Sequence, residues 1–375
     1  MRFDFSDDHA SIADLAEQIF STRTDTAKLQ AAERNGGFDA ELWKSLAASD
    51  LLTIAVPESA GGAGMGMLGL IALLEQQGRR VSAVPLWSTV ACAALPLAEF
   101  GTDAQQQMWL PGLLDGSQIV TGAFEVGDGH DLVVHAEEHS EGWTLTGEIA
   151  LVPAAQQAAA ILTPIRLPDG KSAVVIVRTE AAGVTRAPVD VTSHESHSAV
   201  KLARVSVSAG DFLHGDGSHI ISWTVRRARV ALAALSVGVC SEALAMTARY
   251  VSERVQFGRP ISTNQAVAVR AADAHLDAES IRLTTLRAAW LMDLGREDEA
   301  ELAALVAKWW ASRGGLRVVH ATQHLHGGIG ADVDYPIHRY FIWGRQIAFT
   351  LGSAEAINAQ LGDVLEKGAA IGAPA

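Results

Sequence analysis

The spacing of apolar residues changes twice along this chain, and that double switch limits its possible folds more than any single motif does. From Asp7 to about Leu114 apolar positions recur at helical spacing, as in "DLAEQIF", "ELWKSLAASDLL" and "LGLIALLEQQGRR", with the glycine-rich turn "PESAGGAGMG" among them. From about Gln118 to Asp211 the runs become short, alternating or β-branched: "WTLTGEIALV", "AAILTPI", "SAVVIVR" and "AVKLARVSV", punctuated by Gly142, Gly147, Asp169-Gly170 and Gly183. After Asp216 amphipathic patterns return and predict helices over roughly 218–254, 264–295, 299–326 and 336–350, then a last one from Ser353. Gly258-Arg259-Pro260, Gly295 and Gly327-Gly328 are the breaks. The expected architecture is α+β in three parts: helical over 1–117, β over 118–215, helical over 216–375.

Hydrophobic residues make up 49% of the 375, enough for two or three packed layers around a continuous interior. Apolar runs such as "ARVALAALSVGV" after Arg227 are interrupted short of the ~20 residues a membrane-spanning helix needs. The start, "MRFDFSDDHA", carries no signal-peptide pattern, so a cytoplasmic location is expected. A formal charge of -14 argues against nucleic acid or an anionic membrane as partner, yet leaves room for a basic pocket around a phosphate. Cys92 and Cys240 sit in apolar helical sequence, where a reduced, buried thiol is expected.

Two segments carry candidate chemistry. "RYVSERVQFGRPISTNQA", residues 249–266, closes one long helix and opens another across a Gly-Pro turn. Arg254 there is either a solvated partner of the last helical carbonyls or a bidentate donor to a pyrophosphate. "HATQHLHGGIG", residues 320–330, puts glycines at 327, 328 and 330, where backbone N–H groups can approach an anion, although a glycine pair is also an ordinary helix cap. His320, His324 and His326 lack an accompanying H-E-x-x-H carboxylate or cysteine, so no metal site is expected.

With "YVSERVQFGRPISTNQAV", "QHLHGGIGADVDYPIHRYF" and "VPESAGGAGMGMLGLIALLEQQGRRVSAVPLWST" taken together, the chain resembles the acyl-CoA dehydrogenase family over essentially its whole length. The resemblance implies an N-terminal helical domain, a middle β-barrel-like domain and a C-terminal four-helix bundle, assembled as dimers or dimers of dimers. It implies FAD chemistry that removes a proton from Cα and a hydride from Cβ of an acyl-CoA, giving a 2-enoyl-CoA. It also implies that the R-x-x-F-G turn and the Q-x-x-G-G loop reach across an interface to the ADP half of the neighbour's FAD. Arg254 would then meet the pyrophosphate, Phe257, Ile261, Asn264 and Val267 would line the adenosine and ribityl path, and Gly327 and Gly328 would supply close backbone. The usual glutamine of the loop falls at His324, which can still make one hydrogen bond.

Other family signatures are missing. The catalytic glutamate position holds Leu351, with Gly352 and Ser353 still following, and the alternative site in the first bundle helix holds Ala228. Glu125 and Val126 stand where the flavin-contacting Thr-Glu is usual, and Leu151 to Pro153 replace Trp-Ile-Thr, where proline removes a donor. The pattern is most similar to the non-catalytic subunit of heterotetrameric acyl-CoA dehydrogenases of steroid side-chain degradation. In that role the chain has no catalytic residue and completes the FAD site of a homologous, base-bearing partner. The expected substrate is a bulky, sterol-derived acyl-CoA, and the expected acceptor an electron-transferring flavoprotein. Two other readings stand beside it: an independent homodimeric flavoenzyme using Glu355 as base, and a scaffold without redox chemistry. Tyr335, His338 and Arg339 read as helix-start and interface residues, and Trp309 and Trp310 as core with Leu302, Leu305 and Val306.

Overall fold

The computed structural model describes residues 4–125, 132–140, 142–366 and 368. In chain order come α1 (Asp7–Arg23), α2 (Thr26–Arg34), α3 (Ala40–Ala47), α4 (Gly66–Arg80), a π-helix (Trp87–Ala94) running into α5 (Leu95–Phe100), and α6 (Asp103–Leu114). Strands β1 (Ile119–Gly122), β2 (Val134–His139), β3 (Gly142–Pro153), β4 (Ala158–Arg166), β5 (Ser172–Arg178), β6 (Val184–Pro188) and β7 (His197–Val207) follow. Then come α7 (Gly217–Glu253), the two-residue strands β8 (Val255–Gln256) and β9 (Arg259–Pro260), α8 (Gln265–Asp293), α9 (Glu297–His326), α10 (Ile337–Phe349) and α11 (Ala354–Glu366). An N-terminal helical part, a central mixed sheet and a C-terminal helical bundle follow one another as the apolar periods require. By compactness the chain divides into two units, Ser21–Leu70 with Ser82–Ala228, and Met1–Phe20 with Ile71–Val81 and Arg229–Ala375.

Within the first unit, polar caps start the short helices: Asp25 accepts from the Lys28 N–H, Asp39 from the Leu42 N–H, and Thr102 and Gln105 form a reciprocal capping box on α6. The sheet follows the path β1-β4-β2-β3-β7-β6, with β5 also paired to β4. β3 pairs antiparallel with both β2 and β7, whereas β1 runs parallel to β4. One face is apolar: Val134, Leu145, Ile149, Ile161, Val175, Val200 and Val205 meet in a buried cluster, as period-two alternation demands. The Asp169-Gly170 turn joins β4 to β5, with Gly170 at a φ of 84°.

In the second unit two glycines set a close helix crossing. A Cβ on Gly78 of α4 would lie 2.2 Å from the Leu235 carbonyl oxygen of α7, and one on Gly238 would lie 2.0 Å from that of Glu75. Any side chain at either position would force the helices apart. α7 is long and apolar enough by length and composition to cross a membrane, contrary to the expectation from its interrupted runs, yet 72% of its apolar window is buried inside the protein. Cys92 and Cys240 are both buried free thiols, and burial pushes the Cys240 thiol up to about 12. Trp309 and Trp310 are only half-buried and pack edge to face at 5.2 Å, so they border the bundle interior rather than fill it.

Candidate functional site

Four of the expected nucleotide contacts sit on the turn between α7 and α8. Helix α7 ends where the Arg254 N–H donates to the Tyr250 carbonyl at 2.8 Å, and the Ile261 N–H donates back to the Arg254 carbonyl at 2.9 Å. Strands β8 and β9 make a miniature hairpin whose tip, Phe257-Gly258, has φ values of 52° and 76°. Left-handed backbone is expected of glycine and is strained for phenylalanine. The Phe257 side chain is fully exposed at 101% relative accessibility, so its apolar area gains nothing within this chain. Among the described residues the Arg254 guanidinium has no partner either, while Arg259 donates to Asn264 Oδ1 at 3.1 Å. Ile261 and Asn264 are half-buried at the start of α8, and Val267, half-buried on its first turn, donates its N–H to the Asn264 carbonyl.

The other candidates stand at the end of α9. Gly327 leaves the helix at a φ of 65°, its N–H returning to the His324 carbonyl. A Cβ added at Gly327 or Gly328 meets nothing within 4 Å, so both backbones face open space. His324 is exposed. The adjacent Gln323, which sequence reasoning passed over, turns its amide inward to the Gly330 carbonyl at 3.0 Å and braces the loop. A glutamine one place from the usual register was the available signal.

A ring stack ties the turn to the loop. His326 lies on Tyr250 with centroids 4.5 Å apart and planes 24° from parallel, and Tyr335 covers it at 5.4 Å. Its Nδ1 is 2.8 Å from the Thr322 carbonyl, which can only accept, so in the neutral ring Nδ1 carries the proton and the buried Nε2, which has no partner among the described residues, does not. Burial lowers the His326 pKa. His320 packs edge-on against Phe341 at 4.8 Å, so the three histidines go to three different places. Among the described residues no group of three metal-type ligands gathers. His338 Nδ1 is 2.7 Å from the Tyr335 carbonyl, and Arg339 is buried on α10.

Neither position that the resemblance gives to a base holds a carboxylate. Ala228 is fully buried in α7. Leu351 is 6% exposed with a φ of 57°, and the Arg229 guanidinium donates from Nε to its carbonyl at 3.0 Å and from Nη1 to Gln360 Oε1 at 2.9 Å. Ser353 Oγ caps α11 by accepting from the Ala356 N–H, and Glu355 is exposed in its first turn, apart from the buried face of Ala354 and Ile357.

FAD, the cofactor the resemblance implies, fits this chain only in half. An unpaired guanidinium and two open glycine backbones suit a pyrophosphate. Where the resemblance would set the flavin ring, Pro153 offers no N–H and lines a partly open cleft of ≈ 10 Å³. Glu125 is half-buried, and Val126 lies outside the described residues.

Comparison with known proteins agrees with the architecture. A profile of the acyl-CoA dehydrogenase N-terminal domain matches residues 6–117, and one of the acyl-CoA dehydrogenase C-terminal domain matches residues 215–365. Acyl-CoA dehydrogenase FadE27 of Mycobacterium tuberculosis is 36% identical over 325 residues, 84% of this chain and 86% of that protein. A solved variant of the Tcur3481-Tcur3483 steroid ACAD is 44% identical with a TM-score of 0.89, over 96% of this chain and 98% of the other. The ChsE4-ChsE5 complex from Mycobacterium tuberculosis is 33% identical with a TM-score of 0.93, over 99% and 100%.

Proposed function

This chain belongs to the acyl-CoA dehydrogenase family of FAD-dependent oxidoreductases, and on that premise we propose that it is the base-free subunit of a hetero-oligomeric member, completing the FAD site of a homologous, base-bearing subunit. The observation that carries this reading is the buried Leu351, its carbonyl held by Arg229, at the position where the family keeps its glutamate. A leucine abstracts no proton. Arg254 would give a bidentate contact to the pyrophosphate of the partner's FAD, Gly327 and Gly328 would offer N–H groups, and His324 one hydrogen bond. Phe257, Ile261, Asn264 and Val267 would flank the nucleotide, and the exposed Phe257 would be covered by the partner. The FAD, when bound, supplies the acceptor for the hydride leaving Cβ of the acyl-CoA.

The proposed assembly is a heterotetramer in the cytoplasm. The descriptions of two similar structures, a steroid ACAD and a two-component complex, support a sterol-derived acyl-CoA as substrate and a second chain as partner. An electron-transferring flavoprotein is the proposed acceptor. The test is to express the chain alone and with a homologue that retains the glutamate, then record flavin spectra and acyl-CoA turnover. Colour and turnover only in the joint preparation support the role. Turnover by the lone chain rejects it, and a colourless joint preparation favours a scaffold.

A further inference from the structure

Helices α8 and α9 are joined by residues 294–296 alone and so run antiparallel. Their register is fixed where Arg317 Nε donates to the Asp277 carboxylate at 2.8 Å. From that pair, two turns back along α8 lead to Arg270, and one to two turns on along α9 lead to His320 and His324. Arg270 therefore stands at the level of the two histidines. From α10, the Phe341 ring meets His320 edge-on at 4.8 Å, and the Arg345 guanidinium lies 5.7 Å from the centre of the same ring.

Two positive charges thus converge on one histidine. Burial lowers the pKa of His320, and the charges of Arg345 and Arg270 lower it further, with no carboxylate acting against them. Among the described residues neither arginine has an ion-pair partner, in a chain where 43 acidic residues outnumber 29 basic ones. The surface around them is apolar. Phe349 is 54% exposed one turn beyond Arg345 along α10, and Val269 and Leu276 are 52% and 65% exposed on α8, seven residues apart and so on one face. Arginine and aromatic side chains set in apolar area are the composition of a protein–protein contact. An exposed guanidinium is screened by salt within about 10 Å and stabilises little, whereas one covered by a partner and faced with carboxylates contributes more.

We propose that Arg270, His320 and Arg345, with Phe341, Phe349 and Val269, form a docking face for an acidic surface of the homologous, base-bearing subunit. The proposal rests on the paired-subunit reading and adds the chemistry by which the partner is chosen. The face is continuous with the residues given to the cross-interface contact: His324, Gly327 and Gly328 follow His320 on α9, and Asn264 and Val267 precede Val269 and Arg270 on α8. A small anion is the poorer occupant, because Arg270, His320 and Arg345 are all exposed to screening salt. A second copy of this chain is poorer too, since a two-fold contact sets the same surface on both sides, and this one holds two unanswered guanidiniums.

The test is a competition in co-expression. A homologue that retains the glutamate, carrying an affinity tag, is expressed with equal amounts of wild-type chain and the Arg270→Glu/Arg345→Glu variant, and the chains recovered on it are counted by mass spectrometry. Wild type should be recovered about tenfold or more over the variant. Arg270→Lys/Arg345→Lys, which keeps both charges, should compete as wild type does. If the glutamate variant does not fold, Arg270→Ala/Arg345→Ala takes its place and should also lose to wild type. Equal recovery of wild type and the charge-removed chain overturns the docking face. So does equal recovery with less FAD per complex, which makes a phosphate the anion, or a loss confined to self-association of the lone chain, which makes a second copy the occupant. Failure of the paired-subunit role looks different, because then the tagged homologue recovers no chain, wild type included.

Discussion

Arg229 Nε donates to the carbonyl of Leu351 at 3.0 Å, so the turn at the proposed base position is held by a cation that also donates to Gln360. Burial draws this guanidinium down to about 10, still charged at neutral pH. A carboxylate introduced at 351 would enter a turn already bound to a guanidinium, which favours its ionised, paired form over a free base. Leu351→Glu should leave turnover of the complex unchanged and the lone chain inactive. Acyl-CoA dehydrogenation assays on both preparations check this, and activity gained by the lone chain would contradict it.

In the proposed assembly the exposed hairpin tip and Arg254 divide two tasks. Arg254→Ala should lower FAD occupancy of the complex while its sedimentation stays that of the full assembly, because one phosphate contact is lost. Phe257→Ser should instead weaken assembly by roughly 1.5–3 kcal/mol, the worth of burying a large apolar side chain. The melting point of the lone chain should hardly move, since the side chain is already in solvent. Unchanged occupancy in the first variant would remove Arg254 from the site.

Glu195 makes stability depend on pH with an unusual sign. Desolvation raises its carboxyl from 4.5 to about 7, partly offset by the hydrogen bond from Ser193. A carboxyl that is more easily protonated when folded contributes its full stability below pH 4.5 and loses it as pH climbs through 7. Glu195→Gln should flatten that decline, with a gain over wild type on the order of 2 kcal/mol at about pH 8. Thermal melts between about pH 5 and pH 8 give the answer, and parallel curves for the two proteins would contradict it.

His326 works in the opposite direction. Burial depresses its pKa, and a second ring proton would find no acceptor at the buried Nε2. Stability from the neutral ring is complete above the ordinary histidine value of 6.5 and falls as pH drops toward the lower folded value. FAD retention by the complex should therefore weaken below about pH 6.5. His326→Phe keeps the stack on Tyr250 and removes the titration, so retention should become flat in acid. Continued acid release in that variant would assign the sensitivity to another group.

The helices of the bundle were legible because their apolar spacing and their glycine breaks are local. The expected helices over 264–295 and 299–326 are observed as Gln265–Asp293 and Glu297–His326. Long-range partnerships left no such trace. Lys308 lies in an amphipathic helix like any surface lysine, yet it is fully buried and donates to Ser312 Oγ at 2.7 Å and the Ile347 carbonyl at 2.8 Å, at the end of α10. Nothing in the sequence pairs Tyr250 with His326, and the motif register pointed to His324 where Gln323 braces the loop. The contact of the Ser196 N–H with the Gly37 carbonyl was equally hidden, since the two residues are far apart in sequence and meet backbone to backbone.

The most direct measurement of the central claim is the flavin count of the purified complex, FAD released by denaturation against the amount of each chain. The paired-subunit role predicts one FAD per pair of unlike chains, with none released from this chain purified alone. One FAD per polypeptide, or stoichiometric FAD on the lone chain, would contradict it.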